Sequence, residues 1–148
     1  MIAMEVIEHF LNPSKFLNDC KGLVKRDGVF LLSTPNVLDI QSRTTWLRTG
    51  VLFHFSPESF HATGHRTILP YWLLEILIEQ AGLEIVARHF GGRLEFPAKP
   101  NPIARLARTA LTALARSLVK GAPREVLDSN YVIYILRPVA AMNSRQGI

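Results

Sequence analysis

The chain has 148 residues, 48% of them apolar and 20% charged, with a net charge of +5. That composition fits one globular domain with its own core and excludes a disordered chain. The apolar runs are shorter than the ~18 residues of a membrane span, and the one cysteine, Cys20, cannot form an internal disulfide.

The N-terminus has no basic region, long apolar stretch or cleavage site, so no signal peptide is read there. The expected compartment is cytoplasmic. Six of the basic residues (Lys99, Arg105, Arg108, Arg116, Lys120 and Arg124) fall between Phe96 and Arg124, with no acidic residue among them. The basicity is therefore local.

Residues 2–7 read as the end of a buried strand. Asn12-Pro13 is a helix start, with Asn at the N-cap and Pro in the first turn. Phe16, Leu17, Cys20, Leu23 and Val24 follow at helical spacing, and Asp27-Gly28 is a turn. Val29-Phe30-Leu31-Leu32 fits a strand buried on both faces. Residues 37–69 show no clean period and hold His54, His61 and His65. A stretch of that length is either a binding loop or a set of short helices.

Pro70 opens a helix carrying Leu73, Leu74, Leu77 and Ala81 on one face, with Gly82 as its stop. Residues 83–90 read as a strand, and His89 within it as structural. Gly91-Gly92, Pro97, Pro100 and Pro102 read as an irregular linker. Residues 103–120 form an amphipathic helix, with Ile103, Leu106, Ala107, Ala110, Leu111, Leu114 and Leu118 opposite Arg105, Arg108 and Arg116. Residues 131–136 read as a last strand, able to insert antiparallel, and residues 138–148 as a flexible tail.

This order and three motifs resemble the C-terminal half of a class I, Rossmann-like, S-adenosylmethionine-dependent methyltransferase. The first motif is Met4-Glu5-Val6-Ile7-Glu8-His9 with Asn12-Pro13. The second runs from Leu23 to Asn36 and ends in Ser33-Thr34-Pro35-Asn36, with Asp27 in place of a family glycine. The third runs from Leu74 to Val86. The motifs are similar to those of ubiquinone-pathway O-methyltransferases and of the general methyltransferase-domain type.

The resemblance implies an α/β fold with a mostly parallel sheet, strands four to seven with flanking helices. It divides the chain into a strand–helix–strand unit (1–36), an acceptor or lid loop (37–69), a helix–strand unit (70–90), a basic helical insertion (91–124) and a last strand (130–137). Together these make a partial methyltransferase domain over 1–137. The N-terminal half, with the glycine-rich turn that holds the cofactor, is missing from this reading. It implies a truncated chain, inactive alone, whose full-length protein transfers a methyl group to an oxygen of a small-molecule, lipid-linked or glycan acceptor. Met4 and Glu5 would wall the cofactor, and His9 would serve as general base, since histidine exchanges protons near neutral pH. The competing reading is a non-catalytic remnant or interaction module. A homodimer, or a partner supplying the missing half, would complete the sheet.

Two carboxylates and an imidazole at a strand end can converge on a divalent cation such as Mg²⁺ or Mn²⁺. Such an ion lowers the pKa of a substrate hydroxyl. The pattern resembles the metal site of small-RNA 2′-O-methyltransferases. On that likeness Glu5, Glu8, His9 and His65 are the candidate ligands, with His54 and His61 behind them. In the plainer reading, Glu5 or Glu8 caps a helix and His9 lines the cofactor pocket. Trp46, Phe53, Phe55 and Phe60 are candidates for an apolar lid. The basic helix admits three readings: packed on the core with a solvated basic face, lying on a membrane surface, or binding nucleic acid. With no aromatic residue inside it to stack on bases, nucleic acid ranks last.

Overall fold

The computed structural model describes residues 1–92, 101–119 and 121–139. The Pro97–Pro100 part of the expected linker, Lys99, Lys120 and the tail from residue 140 lie outside the described residues.

Four strands form one sheet: β1 (Ile2–Met4), β2 (Phe30–Pro35), β3 (Leu83–Gly91) and β4 (Tyr131–Pro138), in the order β1-β2-β4-β3. β1 and β2 are parallel, while β4 runs antiparallel to both β2 and β3. Three strands thus point one way, and only the last is reversed. A reversed last strand needs no crossover helix of its own, which fits the order of elements in the sequence.

Helices α1 (Pro13–Leu23) and α4 (Tyr71–Gln80) follow β1 and precede β3. The Asn12 side chain accepts from the Lys15 amide at 2.9 Å, capping α1 as the Asn-Pro pair predicts. Gly82 ends α4 at φ +71°, a left-handed position that suits glycine. The two helices cover one face of the sheet. There Leu17, Cys20, Leu74 and Ile78 meet Ala3, Phe30, Leu32, Val132, Tyr134 and Leu136 in a single buried core. Cys20 is a core residue, as its helix face predicts.

The opposite face is less well covered. Ile2, Met4, Leu31, Ile133 and Ile135 lie on it by strand alternation. Ile2 and Met4 are exposed and the other three are half-buried.

Residues 37–69 contain two helices, α2 (Ile40–Thr49) and α3 (Pro57–Ala62). Asp39 caps the first by accepting from the Ser42 amide, and Ser56 caps the second by accepting from the Ser59 amide. A short helix, α6 (Arg124–Asp128), precedes β4. The buried Asn36 ties the end of β2 to it. Its amide nitrogen donates to the carbonyls of Val126 and Ser129 at 2.6 and 2.8 Å, and its oxygen accepts from the Leu38 amide.

Two sequence expectations change. The strand expected over 2–7 stops at Met4, because Glu5 takes a left-handed φ of +53° and Ile7–His9 form a 3₁₀ turn. The basic helix α5 (Pro102–Leu118) is not packed on the core by its apolar stripe. It buries Ala115 and half-buries Leu111 and Thr112, while most of the stripe faces outward.

Candidate functional site

The left-handed turn at Glu5 sets up the site. It swings the chain out of β1 directly into the 3₁₀ turn that carries Glu8 and His9. A positive φ at a non-glycine residue is costly and persists only where its surroundings hold it. Here Ser33 at the end of β2 does so: its Oγ donates to Glu5 Oε1 at 2.6 Å, and its carbonyl accepts from the Glu5 amide at 3.2 Å.

Glu8 is fully buried, at 0% exposure. Thr34 Oγ1 donates to its Oε2 at 3.0 Å. Its Oε1 has no hydrogen-bond partner among the described residues, and His9 Nε2 stands 3.9 Å from it. Burial raises the Glu8 pKa above the ordinary carboxylate value, against the lowering effects of its own backbone amide, Thr34 and the two histidines. A buried carboxylate oxygen aimed at two imidazoles with no donor on it is expensive unless something positive arrives.

His65 is brought alongside by backbone pairing. The amides of Arg66 and Thr67 both donate to the Glu8 carbonyl at 2.9 Å. Gly64, at φ +78°, makes the turn that permits this approach, with His9 Nδ1 only 3.4 Å from where a Cβ would stand. The His9 and His65 rings meet edge to face at 5.0 Å. His65 Nδ1 lies 2.8 Å from the His54 carbonyl, which can only accept, so Nδ1 carries the proton. The Nε2 lone pair is thereby left for a ligand, the arrangement metal-binding histidines use. One donor atom each from Glu8, His9 and His65 lies within 4.8 Å of the others.

The expected ligand set is therefore brought together in part. Glu8, His9 and His65 converge. Glu5 does not join them, because Ser33 holds its carboxylate. His54 meets His65 Nδ1 with its carbonyl and is not one of the converging donors, and His61 packs on Phe60 in α3. His89 is exposed on β3. Of the aromatic candidates, Phe55 packs on the His65 ring at 5.4 Å and Phe53 on the His54 ring at 4.8 Å. Trp46 and Phe60 are exposed.

Met4 and Glu5 line a small cleft of about 150 Å³ with Ser33, Tyr131 and Ile133. A larger cavity of about 580 Å³ lies between α5 and α6 and shares no residue with the histidine cluster.

Burial also pushes the Glu5 carboxyl up to about 7, with Ser33 opposing and the Glu8 charge adding to the shift. The folded chain thus keeps a proton that the unfolded chain loses above its ordinary value of 4.5. Stability from this group is complete below that value and falls as pH rises to about 7. Glu5→Gln should flatten this fall and, allowing for partial exposure, add about 1–2 kcal/mol at pH 8. Thermal melts between pH 4.5 and 8 check it; an unchanged pH slope in the variant would count against the buried Glu5 proton.

No family model matches the chain. A ubiquinone biosynthesis O-methyltransferase of Dinoroseobacter shibae is 34% identical over 86 residues, covering 58% of this chain and 34% of that protein. An S-adenosylmethionine-dependent methyltransferase from Archaeoglobus fulgidus matches in structure with a TM-score of 0.51 at 14% identity, over 91% of this chain and 57% of that one. The fold is that of the C-terminal half of a class I methyltransferase. The chain spans about a third of the length of the curated methyltransferase it matches and just over half of the solved one.

The residues that set the site without being given a role in it from the sequence are Ser33, Thr34 and Gly64. Ser33 and Thr34 stand in the Ser-Thr-Pro-Asn motif of the methyltransferase resemblance, which could have pointed to them.

Proposed function

We propose that this chain forms the acceptor side of an S-adenosylmethionine-dependent methyltransferase acting on a hydroxyl of a small-molecule, lipid-linked or glycan acceptor. The observation that carries the reading is the convergence of Glu8, His9 and His65 just beyond the C-terminal end of β1. Ligands of open α/β sheets bind outside those strand ends.

The cofactor itself does not fit these residues alone. The Met4–Glu5 cleft of about 150 Å³ is well below the ~300 Å³ at which pockets for molecules of that size begin. Met4 and Glu5 would form one wall, with a glycine-rich segment that this sequence does not contain forming the rest. The half-covered face bearing Ile2, Met4 and Ile133 is a surface on which such a segment would pack.

A divalent cation does fit. The orphaned Glu8 Oε1, the fixed Nε2 of His65 and the half-exposed His9 give one carboxylate and two imidazoles. This mixed set favours Mn²⁺ over Mg²⁺, which prefers oxygen alone. Bound there, the ion would hold the acceptor oxygen and lower its pKa. Without the ion, His9 would serve instead as general base and take the acceptor proton. Phe55 packs on the His65 ring, and Phe53 packs on His54, whose carbonyl accepts from His65 Nδ1.

Calorimetry tests the division between cofactor side and acceptor side. The 148-residue chain is expected to bind S-adenosylmethionine no more tightly than about 1 mM. Micromolar binding would contradict it. An open reading frame continuing upstream of Met1 into a glycine-rich strand–turn–helix supports the reading; a stop codon directly upstream favours a non-catalytic protein.

A further inference from the structure

Helix α5 presents most of its apolar stripe to the outside. Ile103 is 80% exposed, Leu106 73%, Leu114 56% and Leu118 72%. At 3.6 residues per turn these side chains centre about 130° around the helix from the buried and half-buried Leu111, Thr112, Ala115 and Val119. The stripe therefore faces away from the protein body, not sideways into a groove. Helix α2, against which α5 packs, adds exposed Trp46 and Leu47. Four large exposed apolar residues on one helix are well beyond the scattered ones of an ordinary surface.

The charge pattern selects the occupant. Between Phe96 and Arg124 the sequence has six basic residues and no acid. Arg116 is paired with Asp128, and Arg105 is exposed on the polar side. A second copy pairing stripe to stripe would bring the same basic segments together without an acidic partner. A nucleic acid would meet the arginines but leave the leucines bare. An anionic lipid surface takes both at once: leucines among the acyl chains, arginine heads at the phosphates. No helix among the described residues is long and apolar enough to cross a membrane, so this one would lie on it.

We propose that α5 docks the chain onto an anionic membrane surface through Ile103, Leu106, Leu114 and Leu118. The proposal is independent of methyl transfer, and so is its test. The chain is sedimented with vesicles of phosphatidylcholine alone and of phosphatidylcholine with phosphatidylglycerol, at low and high salt. The expected result is binding to the anionic vesicles at least about tenfold above the neutral ones, weakened by salt. Leu106→Glu and Leu114→Glu, at exposed positions, should each lower that binding about tenfold while melting like the parent. Several results would overturn the proposal: no binding to anionic vesicles, equal binding to neutral ones, or unchanged binding by both variants. So would a lipid-free dimer that Leu106→Glu dissociates, which would give the stripe to a second copy.

Discussion

Replacing Tyr134 by alanine will destabilise the fold by about 3–5 kcal/mol, the range for truncating a large buried aromatic side chain. Tyr134 is the largest fully buried side chain among the described residues and sits in the middle of β4, the strand that joins β2 to β3. It touches the layer formed by α4: its hydroxyl donates toward the Tyr71 carbonyl at 3.3 Å and the Glu75 carboxylate at 3.4 Å. Those are long hydrogen bonds, so Tyr134→Phe should cost only about 1 kcal/mol. The ring, not the hydroxyl, holds the sheet to its helices. Against a total stability of about 5–15 kcal/mol, the alanine variant will be largely unfolded or close to it. Urea melts of the two variants measure the contrast; an alanine variant within about 1 kcal/mol of the parent would contradict the core described above.

Glu8→Gln will act in opposite directions with and without metal. Without metal, the parent buries a carboxylate with one oxygen unpartnered. Glutamine removes that charge while keeping an acceptor for Thr34, so the variant should be at least as stable as the parent. With Mn²⁺ at about a hundred times its dissociation constant, the parent should gain about 2.7 kcal/mol. For a chain of this size that is a rise of roughly 5–10 °C in melting temperature. The variant should gain almost nothing. A parent that does not respond to Mn²⁺, or a variant that responds equally, would remove Glu8 from the site. The same sign reversal marks functional residues in general, which cost stability until their ligand arrives.

The elements legible in the sequence were those whose apolar period reports burial on a single face. Helix α1, with its Asn12-Pro13 start, and α4, with Leu74 and Ala81 inward as their spacing predicts and Ile78 buried beside them, are of this kind. Helix α2 escaped because its buried residues are Ile40, Gln41 and Ser42, clustered in the first turn and mostly polar. Its one sequence signal was the cap at Asp39. Helices α3 and α6, at six and five residues, are too short to show a period. In α5 the period gave the helix correctly but not what covers the stripe, since spacing fixes which residues share a face and not what that face meets.

The candidate site was legible in the same uneven way. Glu8 and His9 are adjacent in sequence and lie in one motif. His65 reaches them through Gly64 and the pairing of Arg66 and Thr67 with the Glu8 carbonyl, a tertiary contact that no local pattern reports. Glu5 shares the motif but not the cluster, because a single left-handed residue turns its side chain to Ser33. Spacing on paper could not distinguish the two carboxylates; the backbone conformation at Glu5 does.

The most direct test of the site is magnetic resonance of Mn²⁺ bound to the chain, with and without ¹⁵N-labelled histidine. Coupling to two histidine nitrogens, one lost in His9→Gln and the other in His65→Gln, is the predicted result. Mn²⁺ that shows no histidine coupling, or coupling unchanged in both variants, would contradict it.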